Sequence, residues 1–528
     1  MPRLQYAPPN GMLRSCLIGL ALITIAACQT RPSLTPAPER VPSAALPPVV
    51  VSDTAPATPA TSARAALAAA IDSLTGDPMF RNAQWGILIV DPDGGDTLYS
   101  HNAGKLFLPA SNMKIVTSAV ALAQLGPDFR YRTTFAVRHH PVHGVIAGDL
   151  VVIGRGDPTV SDHMERDATL PLRAIADSLA AHGVRRITGH VVAGGDAFSD
   201  ADVGYGWDWD DLAQPYGAGI DELMFNEGFT TVTVHGGDRP GAPVRLTTEP
   251  ATSYPLLRNH VRTVRPTGDA PPPTVNLTYD SAAGAVVVDG TVAVGDSSAT
   301  PIAYRDQAGA YLAALTDAIA AHGIHVRPHA AAPAAIDSGP WLDTLFTVLS
   351  PPLRDILPPL LKPSQNQIAE ALLKTIGLER TGVGTADSGA RVVQSTLLGW
   401  GAAPDGFVIR DGSGLSRHDY LSPETIVHTL ITIRRDTAFQ VFYGALPVAG
   451  VDGTIADRMR GTAAAGNVRA KTGYVDRARS LSGYVSTADG VPLVFSFLCN
   501  NWTTSVHEVE RVQDEIAVRL ASLVVGRP

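Results

Sequence analysis

The chain changes character twice along its 528 residues. Up to about residue 130 it reads as an alanine-rich helix, a strand at 84–90, a turn, a returning strand at 97–100 and an apolar helix at about 111–125. Short strands and turns then dominate to about residue 340, with one clear helix at about 170–183. From about residue 345 helical periodicity returns, and strand patterns follow at 468–474, 480–486 and 493–499 before a last amphipathic helix at about 505–523. The outer segments together hold two N-terminal strands, three C-terminal strands and covering helices. This predicts one α/β domain built from 62–130 and 341–528, interrupted by a mainly β insertion at 131–340. A smaller β unit, rich in Val, Thr, Pro and Gly, is nested at about 240–298. The length suits more than one core.

The most informative stretch of the outer domain is Leu108-Pro-Ala-Ser111-Asn-Met-Lys114. Ser111 and Lys114 stand three apart at the start of the apolar helix, so both side chains project from one face. A serine hydroxyl is a poor nucleophile until a base takes its proton. A lysine amine is such a base when its surroundings hold it neutral. The plain alternative is a helix cap followed by a solvated lysine. Lysine usage argues against it: the chain has five lysines, and the other 36 of its 41 basic residues are arginine. Arginine carries charge but does not act as a base near neutral pH. Among the five, only Lys114 has a serine three positions before it and only Lys471 opens a Lys-Thr-Gly.

The N-terminus reads as a targeting segment, with Arg3 and Arg14 before an apolar run at 16–27 that is too short to span a bilayer. Small residues precede Cys28, as in a bacterial lipoprotein signal covering 1–28, whose cysteine is lipidated. Cleavage after Ala27 beside an incidental cysteine is the alternative. A lipid anchor implies a periplasmic protein, and Gln29 after the cysteine favours the outer membrane. Residues 29–61, rich in Pro, Ala, Ser and Thr, read as a tether. Of three cysteines only Cys499 remains beyond the signal, so no internal disulfide is expected. A net charge of -9 without a basic run argues against nucleic acid.

Further along, Lys362-Pro-Ser364-Gln-Asn366 precedes an apolar stripe of Ile368, Ala371 and Leu372, placing Ser364 and Asn366 in a loop or first helical turn. Ser-x-Asn alone is weak: Ser100-His-Asn102 matches too and reads as a strand end. Asp91-Pro-Asp-Gly-Gly-Asp96 lacks the liganding pattern of a calcium loop. His139, His140 and His143 read as a surface loop rather than a metal site. Neither a metal nor a cofactor is expected.

Ser-x-x-Lys, Ser-x-Asn and Lys-Thr-Gly in this order resemble the set found in penicillin-binding proteins and serine β-lactamases. The long insertion after the Ser-x-x-Lys helix, with Gly156-Asp-Pro-Thr159, Gly206-Trp-x-Trp-x-Asp211, Asp411-Gly-Ser-Gly-Leu-Ser416 and Ser480-Leu-Ser-Gly-Tyr484, resembles the class C low-molecular-mass penicillin-binding proteins. These are the D-alanyl-D-alanine carboxypeptidases/endopeptidases. The resemblance implies a β-lactamase/transpeptidase-like domain with a five-stranded antiparallel sheet flanked by helices. It implies an acyl-enzyme on Ser111, with Lys114 as base, Ser364 passing the proton to the leaving amine, Asn366 positioning the acyl group and Lys471 depressing the Lys114 pKa. Thr472, Gly473 and Tyr474 would bind substrate, with the Ser111 and Tyr474 N–H groups as oxyanion hole. Asp211 would face the peptide's free amino group, or serve only as a structural cap. Implied partners are peptidoglycan stem peptides and, as covalent inhibitors, β-lactams. Tyr474 departs from the family pattern, which has Thr or Ser there. A β-lactamase or esterase on the same core, and a wall-binding protein with a spent site, are the other readings.

Overall fold

Strand Gln84–Val90 lies inside a five-stranded antiparallel sheet, between Pro492–Asn500 and Thr97–His101. Ala478–Ser486 and the edge strand Arg469–Val475 complete it. In this computed structural model residues 59–265, 273–329 and 342–526 are described. The two ends of the chain thus form one sheet, as the implied fold requires.

Period-two alternation feeds two cores from one sheet. Trp85, Ile87 and Ile89, with Leu493, Phe495 and Phe497, pack on one face against Ile71, Val512 and Ile516. Those last three come from helices Pro59–Thr75 and Val506–Ser522. Leu88, Val494 and Leu498 point the other way, onto Val116, Val120 and Ile426. A strand buried on both faces reads as a near-continuous apolar run, as in Leu493-Val-Phe-Ser-Phe-Leu498.

The helix Met113–Leu125 is buried without a break from Met113 to Leu122, Lys114 included. That stretch is shielded because helices Asn366–Thr381, Pro423–Arg434, Ala386–Trp400, Leu353–Leu361 and Phe439–Ala445 all lie against it. Gly126, at φ 84°, ends it.

In the insertion, Arg132–Val137 pairs antiparallel with Asp343–Leu349 and with Leu150–Ile153, which pairs in turn with Val191–Ala193. The entering and leaving strands are therefore zipped together. That corrects the expected boundary: the inserted sheet runs to Leu349 rather than to residue 340, through a pairing across more than 200 residues that local pattern does not display. A second helix, Gln307–Ala321, joins Leu170–Ala181 on this sheet. Its N-cap is Asp306, whose carboxylate accepts from Gly309 N at 2.7 Å. The nested unit is also wider than expected. Val232, Val234 and Ile302 share a core with Val261, Val286 and Val288, so strands Phe229–His235 and Ser297–Ala303 belong to it.

Cys28, the signal and most of the tether lie outside the described residues; the tether's end, 59–61, already opens the first helix. Cys499 is buried in the sheet. His139, His140 and His143 lie exposed in the turn after Arg132–Val137. Asp91 Oδ1 accepts from Asp93 N and Gly94 N, so that carboxylate closes its own turn.

Candidate active site

Ser111 stands on a single 3-10 turn, Ala110–Asn112, that leads directly into Met113–Leu125. Lys114 returns to the same face one turn later. Its Nζ lies 2.8 Å from Ser111 Oγ, 2.6 Å from Asn366 Oδ1 and 2.9 Å from the Ser413 carbonyl. An ammonium satisfies all three acceptors, whereas a neutral amine has two N–H bonds and a lone pair. Of the three neighbours only the Ser111 hydroxyl has a proton to offer that lone pair. Burial brings the Lys114 pKa down to about 7, against the upward pull of Asp411 and Glu370. The sequence reading gives that depression to the apolar setting of the helix, around Ile115, Val116, Ala119 and Val120, and to the charge of Lys471. The structure assigns it first to burial. Lys471 is equally buried and is itself held well below the usual lysine range, by burial and then by Lys114 and Arg479.

The edge strand Arg469–Val475 is stitched to the serine turn. Asn112 Nδ2 donates to the Lys471 carbonyl at 2.9 Å, and Ser480 Oγ donates to the Pro109 carbonyl at 2.8 Å. Gly473 makes the approach possible: a Cβ there would lie 2.2 Å from Ser480 Oγ and 2.9 Å from Ser111 N. Lys471 Nζ donates to the Thr472 carbonyl, and Thr472 Oγ1 donates to Thr454 Oγ1. Tyr474 is half exposed at the rim, with the Arg479 guanidinium 5.6 Å from its ring centre.

Ser364 occupies the turn before helix Asn366–Thr381 at φ 71°, and Ala110, just before Ser111, has φ 47°. Left-handed backbone costs a non-glycine residue on the order of 1–3 kcal/mol and clusters at functional sites. Asn366 opens its helix, with Oδ1 on Lys114 and Nδ2 donating to the Tyr216 carbonyl at 2.9 Å. Gln367 Nε2 donates to the Pro215 carbonyl, so the insertion clamps the Ser-x-Asn segment from outside. Tyr216 OH in turn donates to Asp211 Oδ1 at 2.7 Å. Ser111, Ser364, Asn366, Tyr474, Tyr216 and Asp211 thus line one cleft of about 570 Å³.

The sequence reading missed the buried acids behind this cleft. Glu370 accepts from Gly412 N and Ser413 N, and Asp411 accepts from Gly414 N, Ser416 N and Trp207 Nε1. Asp419 Oδ1 accepts from Arg410 N, and burial holds its carboxyl well above the usual range. Together they fix the loop Asp411–Ser416 whose Ser413 carbonyl meets Lys114. The available signal was Glu370 inside an apolar stripe. It was masked by Lys374 four residues on, the spacing of a surface ion pair. Lys374 instead pairs with Asp200 at 2.8 Å.

Away from the cleft, His163 Nδ1 lies 3.1 Å from Asp162 and 2.8 Å from Glu227. Hydrogen bonds to Asp162 and Glu227 raise its pKa to about 10, which favours the imidazolium between the two carboxylates.

The sequence model of the D-Ala-D-Ala carboxypeptidase 3 (S13) family matches residues 67–523. The D-alanyl-D-alanine carboxypeptidase of Actinomadura sp. (strain R39) is 34% identical over 465 residues, covering 85% of this chain and 84% of its own. The D-alanyl-D-alanine carboxypeptidase DacB of Haemophilus influenzae is 26% identical over 436 residues, covering 79% and 86%. The crystal structure of penicillin binding protein 4 (dacB) from Haemophilus influenzae superposes with a TM-score of 0.71 at 23% identity, covering 86% of this chain and 99% of that one.

Proposed function

The chain belongs to the D-Ala-D-Ala carboxypeptidase 3 (S13) family, and from that premise we propose how its own residues cut peptidoglycan stem peptides. It is a serine-type peptidase. The observation that carries the reading is the 2.8 Å contact between Ser111 Oγ and a buried Lys114 whose pKa lies at about 7. Near neutrality a large share of Lys114 is free to accept a proton, which an exposed lysine is not.

Ser111 Oγ attacks the carbonyl carbon between the two D-alanines and gives its proton to Lys114. The oxyanion is held by the N–H groups of Ser111 and Tyr474. Collapse breaks the C–N bond, and the amine leaves with a proton delivered through Ser364. Water then cuts the ester, with Lys114 again taking the proton. Lys471 and Thr472 hold the terminal carboxylate, Gly473 lets the strand approach, and Asn366 keeps Lys114 and the acyl group in register. Asp211 faces the free amino group of the stem peptide; its place in the cleft with Ser111 supports this. A β-lactam follows the same first step, but its amine stays tethered and the acyl-enzyme persists. A related penicillin binding protein 4 structure from Haemophilus influenzae is described as complexed with a β-lactam, which agrees with that expectation. The run of small residues before Cys28 supports a mature protein anchored by lipid in the periplasm.

The test uses the full chain. Crosslinked muropeptides and a D-Ala-D-Ala pentapeptide should lose D-alanine or be uncrosslinked. A fluorescent penicillin should label the wild type and not Ser111→Ala. Labelling retained in that variant, or neither cleavage nor labelling in the wild type, would overturn the reading.

A further inference from the structure

Behind Lys114, on the side away from the substrate cleft, helix Asn366–Thr381 turns a second side chain toward the same amine. Asn366 reaches Lys114 directly, and Glu370, one turn later, reaches the loop that holds it. Glu370 is 2% exposed and accepts from Gly412 N at 3.1 Å and from Ser413 N at 2.7 Å. The Ser413 carbonyl then accepts from Lys114 Nζ at 2.9 Å. The same loop is held from the serine helix, where Thr117 Oγ1 donates to the Gly412 carbonyl at 2.7 Å. Gly414 passes so close to the serine turn that a Cβ there would lie 1.8 Å from the Ala110 carbonyl.

A buried carboxylate is costly unless a nearby positive charge and hydrogen-bond donors meet it. Two backbone N–H groups could be satisfied by a neutral amide. The ammonium that forms when Lys114 takes the Ser111 proton needs more. It sits in a fully buried position beside a second buried lysine, Lys471.

We propose that Glu370 is a positioning residue for acylation: it fixes the Ser413 carbonyl against Lys114 and supplies the opposing charge when Lys114 takes the Ser111 proton. This rests on the peptidase reading above.

The charged groups around this pair are few. Asp411 faces Lys114 and Glu370 and is held by Gly414 N, Ser416 N and Trp207 Nε1. Asp419 lies behind Asp411, and Lys471 faces Lys114 from the edge strand. Lys374 and Arg410, with Asp200, Asp202 and Asp387, line the outer cavity of about 430 Å³ that Glu370 borders on its far side. Burial and then Asp411 hold the Glu370 carboxyl up to about 8, against its N–H donors, so it carries its charge only part of the time where Lys114 titrates, and an ammonium on Lys114 favours that charge. A Glu370 charge raises the Lys114 pKa. Removing it should lower that pKa, so the neutral base persists to lower pH, while the ammonium formed in the transition state loses stabilisation.

The experiment is the pH profile of penicillin acylation, read by stopped-flow or quenched mass spectrometry. In Glu370→Gln the acid limb should move down, by less than about one pH unit because Glu370 is only partly charged there, and the plateau rate should fall. Glu370→Asp, which keeps a charge, should lose rate while its limb stays near the wild-type position. A residue that only braces the loop would lower the plateau and leave the limb unmoved in both variants, and that result overturns the proposal. Should the glutamine variant not fold, the native chain answers the question. With five lysines, ¹³C-lysine labelling resolves Lys114, and ¹³C-glutamate labelling follows the carboxyls. Lys114 and one buried glutamate sharing two titration midpoints supports the coupling; a Lys114 that titrates in one step, independent of every glutamate, overturns it. A wild type that no penicillin acylates overturns the peptidase reading and this inference with it. Normal acylation with an unmoved limb overturns this inference alone.

Discussion

Trp207 of the insertion donates its Nε1 proton to Asp411 Oδ2 of the catalytic domain at 2.9 Å. Asp411 anchors the loop whose Ser413 carbonyl meets Lys114, so this buried hydrogen bond is a second route from the insertion to Lys114, beside the Tyr216 carbonyl on Asn366. Trp207→Phe removes that donor and leaves Asp411 Oδ2 with Ser416 N. Losing a hydrogen bond to a charged acceptor costs about 1–3 kcal/mol. The variant should melt earlier and acylate more slowly, with residual binding of a D-Ala-D-Ala peptide. Calorimetry with penicillin-labelling rates checks both. An unchanged acylation rate would detach this hydrogen bond from the chemistry.

Lys114→Arg should be nearly as damaging as Lys114→Ala. Arginine keeps the charge but holds its proton at any working pH. Losing one general base typically costs about 10²–10⁴-fold. In the wild type, acylation should fall as pH drops through about 7, where Lys114 gains its proton, and reach a plateau above it. An arginine variant that acylates at near wild-type rate would make Lys114 an electrostatic helper only.

What could be read from the chain was chemistry at fixed sequence spacing. Ser111 and Lys114 share a helical turn, and a rare lysine three residues from a serine stands out against an arginine background. The five strands were legible because they alternate or run apolar, while their union in one antiparallel sheet was implied by the family resemblance. Partnership across the fold was not legible. Nothing local to Asp343–Leu349 announces its pairing with Arg132–Val137. Nothing in Gln367 announces its bond to the Pro215 carbonyl. Glu370 and Lys374 wear the spacing of a solvated ion pair, and only packing shows one turned inward and the other sent to Asp200. The apolar helix and the charge of Lys471 were legible as causes of the Lys114 shift, whereas the acids that oppose it, Asp411 and Glu370, come close only through packing.

Gly473→Ala should abolish acylation more completely than its size suggests. The added methyl would meet Ser480 Oγ, the Pro109 carbonyl and Ser111 N at 2.2, 2.7 and 2.9 Å. Two of these are backbone atoms, so the edge strand has to move off the serine turn. Adding Ser480→Ala removes only the hydroxyl and should restore little. Penicillin labelling of the single and double variants measures this. Wild-type labelling of Gly473→Ala would show that the strand has slack the close packing denies.

Membrane attachment through Cys28 predicts an unprocessed precursor when lipoprotein signal cleavage is inhibited by globomycin. Cys28→Ala should leave the membrane fraction. A variant that still sediments with membranes would count against the lipid anchor.

Tyr474→Thr should change substrate binding more than turnover. Any residue except proline supplies the backbone N–H proposed for the oxyanion hole. The side chain is a different matter, because a small hydroxyl residue would place its oxygen close to the strand. The phenol instead stands half exposed at the rim, with the Arg479 guanidinium 5.6 Å from its ring centre, and Arg479 pairs with Glu510 behind it. A cation–π contact of this kind is worth about 0.5–1 kcal/mol at an exposed site, enough to bias where the ring rests. There the ring can crowd or contact a substrate carboxylate bound near Lys471 and Thr472. That carboxylate is present in ground and transition states alike, so the effect falls on uniform binding. Steady-state kinetics on a D-Ala-D-Ala peptide should therefore show a changed KM with kcat held within a few-fold. Penicillin acylation should change less than in Ser111→Ala. If kcat collapses at constant KM, Tyr474 acts in the chemical step, and its assignment to the rim of the carboxylate site is wrong.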